Sequence, residues 1–202
     1  ANLGTYSATN HKWMRFRHDA AQGKVYLDTS PDGLTWTNQW NMAKPAAWDL
    51  TAARFALHGQ RNNNTESAVQ TVAFDDFATS ARDIKPATFF DGFTSTTIGN
   101  QWSACSATWG DMLQNCNAGS AKITTSASGG QLGMAFASGT PSGTIFTHNG
   151  IVTQSMYDLT DSYVQVEMPT PPVTGSGHFG AGLMIDFGNG TGNGLMLYKF
   201  ST

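Results

Sequence analysis

Apolar and polar residues alternate with a period of two along most segments of this 202-residue chain. In the segment WMRFRHD (13–19) the odd positions fall on one face and the even positions on the other: Trp13, Arg15 and Arg17 against Met14, Phe16 and His18. This period indicates β-strands with one buried face. No stretch has a helical period of useful length, and only a single helical turn is predicted, near 46–50. The pattern predicts an all-β protein, an antiparallel β-sandwich.

Glycine-containing turns separate the alternating segments. Pro31 and Gly33 in the sequence SPDG predict a tight turn, because proline presets φ and glycine tolerates a positive φ. Ser-Gly-Gly at 128–130 predicts a turn between two strands, and Asn149 followed by Gly150 is a strong hairpin signal. The chain has 22 glycines and only 12% charged residues. That balance favours strands joined by turns over helices.

A polar, proline-containing segment at 82–88 interrupts the alternation, and the strand-like pattern resumes after it. Residues 1–81 predict about five strands and residues 89–202 about seven to nine. Neither portion makes a complete sandwich alone, so we expect the two together to form the equivalent of one module. No signal peptide is visible at Ala1 and the sequence does not begin with methionine, so we expect it to be a processed product or part of a longer chain.

The segment HKWMRFRHDAAQGKVYLDTSPDGLTWT (11–37) resembles the penultimate hairpins of concanavalin-A-like, laminin-G-like modules. The matching positions are Trp13, Met14, Arg15, Phe16 and Arg17, then Ser30, Asp32, Gly33 and Trp36. AVQTVAFDDFATS (68–80) resembles the closing strand of these modules, and FFDGFTSTTIGNQW (89–102) resembles the opening strand. SYVQVEMP (162–169) and GAGLMIDFGNGTGNGLMLYKF (180–200) resemble the middle strands. The resemblance implies a jelly-roll β-sandwich, and it indicates a fold far better than an activity.

The order of these segments differs from the order in the family. The chain begins with the penultimate and closing strands and continues with the opening and middle strands. Joining Thr202 to Ala1 would give one uninterrupted module. The order therefore fits a circular permutant or one period of a tandem array. A third alternative is strand exchange, in which the first half of one chain completes the second half of the next and a filament results.

Clustered catalytic carboxylates are not evident. The related jelly-roll glycoside hydrolases carry them on one strand, where they act as acid/base and nucleophile. This chain has two glutamates: Glu66 lies in an Asn-rich loop, and Glu167 has no carboxylate two residues away. Asp75 and Asp76 are adjacent, so a strand would point them to opposite faces. No Gly-x-Ser-x-Gly elbow occurs either. We predict a non-catalytic protein, with a degenerate glycoside hydrolase domain as an alternative.

The resemblance also implies one structural Ca²⁺ where the opening and closing strands meet. The candidate ligands are Asp75, Asp76 and Asp91, because Ca²⁺ prefers carboxylate and carbonyl oxygens. The alternative is that Asp76 and Asp91 cap turns and face water. No other cofactor is predicted.

Cys105 and Cys116 are expected to form a disulfide that closes a short loop. In the chain-entropy model this bond contributes roughly 3 kcal/mol to stability. The alternative is two reduced thiols.

A loop-rich stretch is the best candidate for carbohydrate binding. Trp36, Trp40 and Trp48 lie in it together with Asn38 and Asn41. Aromatic rings stack on sugar faces, and side-chain amides bond sugar hydroxyls. The alternative is that the tryptophans pack over the core or cover a sheet edge.

These features favour a structural or interaction module of an extracellular or virion-surface assembly, such as a phage tail, fibre or decoration protein or a surface array. The expected partners are copies of itself or adjacent modules of a longer chain. A lectin-like module that binds glycans is the alternative. The net charge of −3 offers no basic footprint for nucleic acid. No apolar run approaches the ~20 residues of a membrane span, so membrane insertion is not expected.

Overall fold

Two antiparallel β-sheets packed on each other form the protein, as described by a computed structural model. The structure describes residues 7–62, 70–79, 82–83, 90–104, 123–136, 146–170, 179–187 and 194–200. The all-β sandwich predicted from the alternation is therefore confirmed. The first two strands have the predicted bounds, and the side-chain burial of the first strand alternates as the sequence indicates.

Fifteen strands and one short 3-10 helix are defined within the described residues. In chain order they are β1 (Trp13–Asp19), β2 (Lys24–Ser30), β3 (Thr37–Ala43), the 3-10 helix (Leu50–Ala52), β4 (Ala53–Asn62), β5 (Gln70–Thr79), β6 (Arg82–Asp83), β7 (Phe90–Asp91), β8 (Trp102–Ala104), β9 (Ile123–Ser128), β10 (Gln131–Phe136), β11 (Phe146–Thr153), β12 (Tyr157–Asp158), β13 (Tyr163–Thr170), β14 (Phe179–Phe187) and β15 (Gly194–Phe200). The helical turn predicted near 46–50 lies slightly later, where the Asp49 side chain accepts a hydrogen bond from the Thr51 amide.

The larger sheet has the strand order β3-β2-β1-β13-β5-β10-β9, with β7 paired to β5. The smaller sheet has the order β15-β14-β4-β11-β8, and β12 joins β4 to β6. Both sheets combine strands from residues 1–81 with strands from residues 89–202: β1 pairs with β13, β5 with β10 and β13, and β4 with β11 and β14. Each sheet therefore contains strands from both portions of the sequence. Part of the predicted linker forms a strand, β6.

Large apolar side chains from both sheets fill the space between them. The largest fully buried side chains are Phe16, Phe55, Phe74, Phe77, Phe187, Leu57, Leu132 and Met134. Full burial of a side chain of this kind stabilises the fold by about 1.5–3 kcal/mol. The inward positions of β1 and β2 belong to this core, which directs the remaining side chains of these strands to the outer face of the larger sheet.

The hairpin predicted at Asn149 and Gly150 is wrong, because β11 continues straight through both residues. Gly150 lies opposite His58 of β4. A Cβ atom at this position would collide with the Leu57 carbonyl oxygen. The glycine is therefore required by the close approach of two strands, which glycine in a strand interior also marks. The predicted turn at 128–130 does join β9 to β10.

On β5 the alternation that directs Val72 and Phe74 into the core stops after Phe74. Asp76 has a φ of 45° and breaks the alternation, so that Phe77 takes the next buried position. A bulge of this kind changes which side chains face the core. Asp76 is partly exposed and does not share the core position of Phe74.

No helix among the residues that the structure describes is long and apolar enough to cross a membrane.

Candidate functional site on the outer face of the larger sheet

The outward side chains of β1, β2 and β13 form a patch of charged and aromatic groups. Alternation on β1 directs Arg15 and Arg17 outward, and the strand pairing places Arg15 opposite Asp28 and Arg17 opposite Tyr26. On the other side of β1, Gln165 faces Arg15 and Tyr163 faces Arg17. Directly opposite residues on an antiparallel pair are close enough for their side chains to interact. We call these six residues, together with Trp36, the outer patch.

Asp28 is the centre of the outer patch. Its side chain is only 2% exposed. The Nε and Nη2 atoms of Arg15 donate to Asp28 Oδ2 at 3.2 and 2.8 Å, and Arg17 Nε donates to the same oxygen at 2.8 Å. Asn38 Nδ2 donates to Asp28 Oδ1 at 3.1 Å. Because ionised donors and acceptors make the strongest hydrogen bonds, this carboxylate fixes both guanidinium groups.

Aromatic rings cover both guanidinium groups. The Cζ atom of Arg15 lies 4.0 Å from the ring centroid of Trp36 and 5.7 Å from that of Tyr163. The Cζ atom of Arg17 lies 3.7 Å from the ring centroid of Tyr26. Each contact is within the range of a cation–π interaction, which contributes about 0.5–2 kcal/mol depending on exposure. The rings and the carboxylate together hold the outer patch in one arrangement.

The turn between β2 and β3 leads the chain to Trp36. The Asp32 carboxylate accepts hydrogen bonds from the amides of Thr35 and Leu34 at 2.7 and 2.9 Å. These bonds, with a further one from the Ser30 hydroxyl, lower the pKa of Asp32 from 3.8 to about 2. Because these hydrogen bonds join one carboxylate to two backbone amides, they restrain the turn that precedes Trp36 and help to position its ring against Arg15.

Trp13 supports this turn from the neighbouring strand. Gly33 has a φ of 73°, and a Cβ atom built on it would lie 3.0 Å from the Trp13 ring. Only glycine combines this backbone conformation with such a close approach. The sequence match to the Ser-x-Asp-Gly-x-x-Trp motif therefore marks a physical unit, in which Trp13 contacts Gly33 and Trp36 contacts Arg15.

The edge strand β3 contributes side-chain amides beside the outer patch. Asn38 Nδ2 donates to the backbone oxygens of Leu27 and Trp40 as well as to Asp28. Asn41 Nδ2 donates to Asn38 Oδ1 at 3.0 Å. Both asparagine side chains are exposed. The Asn38 side chain therefore stabilises the strand edge. The Asn41 side chain makes a hydrogen bond only through its Nδ2 atom within the described part of the chain.

The three tryptophans of the predicted glycan site lie in different environments. Trp36 contacts Arg15 on the outer face. Trp40 lies opposite the buried Leu27 and packs against the core. Trp48 also packs against the core, where its ring stacks on Phe187 at a centroid distance of 4.4 Å. Of the predicted set, the structure brings Trp36, Asn38 and Asn41 to the outer face and directs Trp40 and Trp48 inward.

The predicted Ca²⁺ ligands lie where β5 pairs with β7, but both oxygens of the Asp91 carboxylate already accept hydrogen bonds. Asp91 Oδ2 accepts hydrogen bonds from Trp102 Nε1 at 2.7 Å and Gln101 Nε2 at 2.9 Å, and its Oδ1 accepts one from the Phe93 amide. Asp75 Oδ1 accepts a hydrogen bond from the Asp76 amide. Within the described residues, no group of three or more His, Cys, Asp or Glu side chains is placed to hold a metal ion. A Ca²⁺ site with fewer carboxylates stays a prediction.

A carboxylate pair that the sequence did not indicate forms across two strands. Glu167 of β13 lies directly opposite Asp75 of β5, and Lys12 makes an ion pair with Glu167. Burial is the main cause that raises the pKa of Asp75, and the charges of Asp76 and Glu167 raise it further. The spacing of residues along one strand does not predict this pair, because the pair depends on the register between two strands. Glu66 and the predicted disulfide residues Cys105 and Cys116 lie outside the described residues.

The sequence does not indicate the outer patch as a whole, although it predicts part of it. The faces of β1 were assigned correctly, and the short turn at 20–23 fixes the register that places Arg15 opposite Asp28. The contribution of Tyr163 and Gln165 depends on the pairing of β1 with β13, which are far apart in sequence. No protein-family model matches the chain, and no curated protein sequence matches it.

Proposed function

We propose that this chain is a non-catalytic interaction module of an extracellular or virion-surface assembly, and that it contacts its ligand through the outer patch. The observation that carries the proposal is the fixed, partly exposed contact between Trp36 and Arg15. Aromatic and arginine side chains are the groups most enriched at binding hot spots. Side chains already held in place lose little entropy when a ligand binds.

Carbohydrate is the ligand class that these groups favour. The Trp36 ring offers an apolar surface for the flat face of a sugar, and Asn41 and Gln165 are amides suited to hydroxyl groups. Gln165 lies opposite Arg15, and its side chain makes no hydrogen bond within the described part of the chain. The resemblance to concanavalin-A-like modules supports the proposal, because its motif residues Trp13, Arg15, Arg17 and Trp36 gather at this one surface.

Binding to a panel of neutral and acidic oligosaccharides tests the proposal, with wild type, Trp36→Ala and Met196→Ala compared. Met196 is 45% exposed on the smaller sheet and serves as the matched control. We expect wild type and Met196→Ala to bind a common ligand and Trp36→Ala to lose about tenfold or more in affinity, as for an aromatic hot spot. Absence of binding to every oligosaccharide, or equal affinities of the three proteins, would overturn it.

A hydrolysis assay on the same oligosaccharides tests the non-catalytic part. Asp75 and Glu167 lie opposite each other on adjacent strands, and a glycoside hydrolase uses two carboxylates. We expect no release of reducing ends by wild type. Release that is abolished in Glu167→Gln would identify the protein as a glycoside hydrolase.

A further inference from the structure

Two guanidinium groups share a single carboxylate oxygen in the outer patch. Asp28 Oδ2 accepts hydrogen bonds from both Arg15 and Arg17. The side chains of Arg15 and Arg17 are 17% and 31% exposed, so both charges are partly removed from water. Two positive charges against one negative charge leave an excess of one positive charge. A partly desolvated charge of this kind is stabilised by a counter-charge that reaches it from solvent.

The strands on either side do not supply that counter-charge to the two arginines. On β13 the residues opposite Arg15 and Arg17 are Gln165 and Tyr163, neither of which is an acidic residue. Glu167 lies diagonally from Arg15 and forms its ion pair with Lys12. Asp19, the next outward residue of β1, lies directly opposite Lys24 of β2, and this lysine balances its charge. The excess charge therefore remains at the surface of the outer patch.

Arg17 has hydrogen-bond donors left for a ligand. Its Nε is bonded to Asp28, and its two terminal nitrogens make no hydrogen bond within the residues that the structure describes. The group is held by Asp28 at one end and by the Tyr26 ring beneath it. A guanidinium group fixed in this way matches the geometry of a carboxylate, which it can bind through two parallel hydrogen bonds.

We propose that the outer patch binds an acidic polysaccharide, with the carboxylate of a uronic acid residue at Arg17 and a neighbouring sugar ring against Trp36. This inference rests on the function proposed above and specifies its ligand. The arginines are linked through Asp28 Oδ2, and Trp36 lies over the first of them, so the charged and the aromatic contacts are adjacent. The planar carboxylate supplies the counter-charge, and the sugar ring supplies the apolar face.

Isothermal titration of the full chain with a short oligogalacturonate and with its carboxyl-reduced, neutral counterpart tests the inference. The variants are Arg17→Gln, Arg17→Lys and the control Lys24→Gln, which removes one positive charge from β2 at the position opposite Asp19. We expect carboxyl reduction and Arg17→Gln each to weaken binding about 10- to 100-fold, as for loss of hydrogen bonds to a charged group. Arg17→Lys should weaken binding less, and Lys24→Gln should remain within about twofold of wild type.

Equal binding of the acidic and neutral oligosaccharides by wild type overturns the inference and leaves the proposed function intact. Equal losses in Arg17→Gln and Lys24→Gln also overturn it, since they would indicate general electrostatic attraction. Absence of binding to both oligosaccharides, while other glycans bind through Trp36, overturns only the uronic acid assignment. If Arg17→Gln does not fold, the comparison of the two oligosaccharides on wild type and on Arg17→Lys decides the matter.

Discussion

Arg15 and Asp28 face each other across the first two strands, and two guanidinium nitrogens of Arg15 donate to the same Asp28 oxygen at 3.2 and 2.8 Å. Arg17 approaches that oxygen from the next outward position on β1. The carboxylate is almost completely buried, although it lies on the outer face of the sheet. The arginines and the rings that cover them therefore exclude water from a surface where a solvated sheet face would be expected.

Replacement of Asp28 by asparagine should destabilise the protein, because it leaves two adjacent guanidinium groups without their shared anion. Breaking a fully buried ion pair costs about 3–5 kcal/mol. The partial exposure of the arginines lowers the expected loss to about 2–3 kcal/mol in the free energy of unfolding, measured by urea denaturation. The double variant Asp28→Asn with Arg17→Gln should recover part of the loss. A double variant as unstable as the sum of the single variants would show that the two residues are not coupled.

Gly33→Ala should be more destabilising than Gly23→Ala. Both glycines have a positive φ, but an added Cβ meets the Trp13 ring only at Gly33, with nothing within 4 Å at Gly23. We expect a loss of about 1 kcal/mol for Gly23→Ala from backbone strain, and about 2–3 kcal/mol for Gly33→Ala from strain plus overpacking. Thermal denaturation of the two variants measures the difference. Identical losses would mean that Trp13 does not rest on the turn.

The outer patch is only partly predictable from the sequence. The period of two placed Arg15 and Arg17 on one face correctly, since this pattern depends only on strand geometry. The sequence left open whether Trp40 and Trp48 bind glycan or pack over the core, because their positions beside Leu27 and Phe187 depend on contacts between strands. The hairpin prediction at Asn149 and Gly150 is wrong because the same two residue types occur in hairpin turns and in strands that approach each other closely.

Long-range register was the second limit. The pairing of Glu167 with Asp75 joins residues far apart in sequence, and the bulge at Asp76 changes the face of every later residue on β5. The pattern of apolar residues around Asp76 gives no sign that this residue has a φ of 45°.

Asp75→Asn should stabilise the protein at neutral pH. The folded state raises the pKa of Asp75, chiefly through burial, so ionisation above that pKa costs the folded state more than the unfolded state. The contribution of Asp75 is therefore most favourable below its ordinary pKa of 3.8 and is lost as the pH rises through the raised value. Asparagine keeps an acceptor for the Asp76 amide. We expect a gain in the free energy of unfolding at pH 7 that disappears below about pH 4. The control Asp19→Asn should show no gain, and a pH-independent gain would exclude this explanation.

Asp32→Asn should weaken the turn before β3 at neutral pH, and the effect should shrink in acid. The folded state lowers the pKa of Asp32 to about 2, so its stabilising contribution is present above 3.8 and is lost as the pH falls through about 2. The difference in melting temperature between wild type and Asp32→Asn, followed from pH 5 to about pH 2, measures this dependence. A difference that stays constant over this range would contradict the account of the turn.

The most direct test of the outer patch as a binding surface is a nuclear magnetic resonance titration of the ¹⁵N-labelled chain with the oligosaccharide that binds best. The account predicts that the indole signal of Trp36 and the guanidinium signals of Arg15 and Arg17 shift, while the indole signals of Trp48 and Trp102, which pack in and against the core, do not. Saturable binding that shifts other signals and leaves those of Trp36 and both arginines unchanged would contradict it.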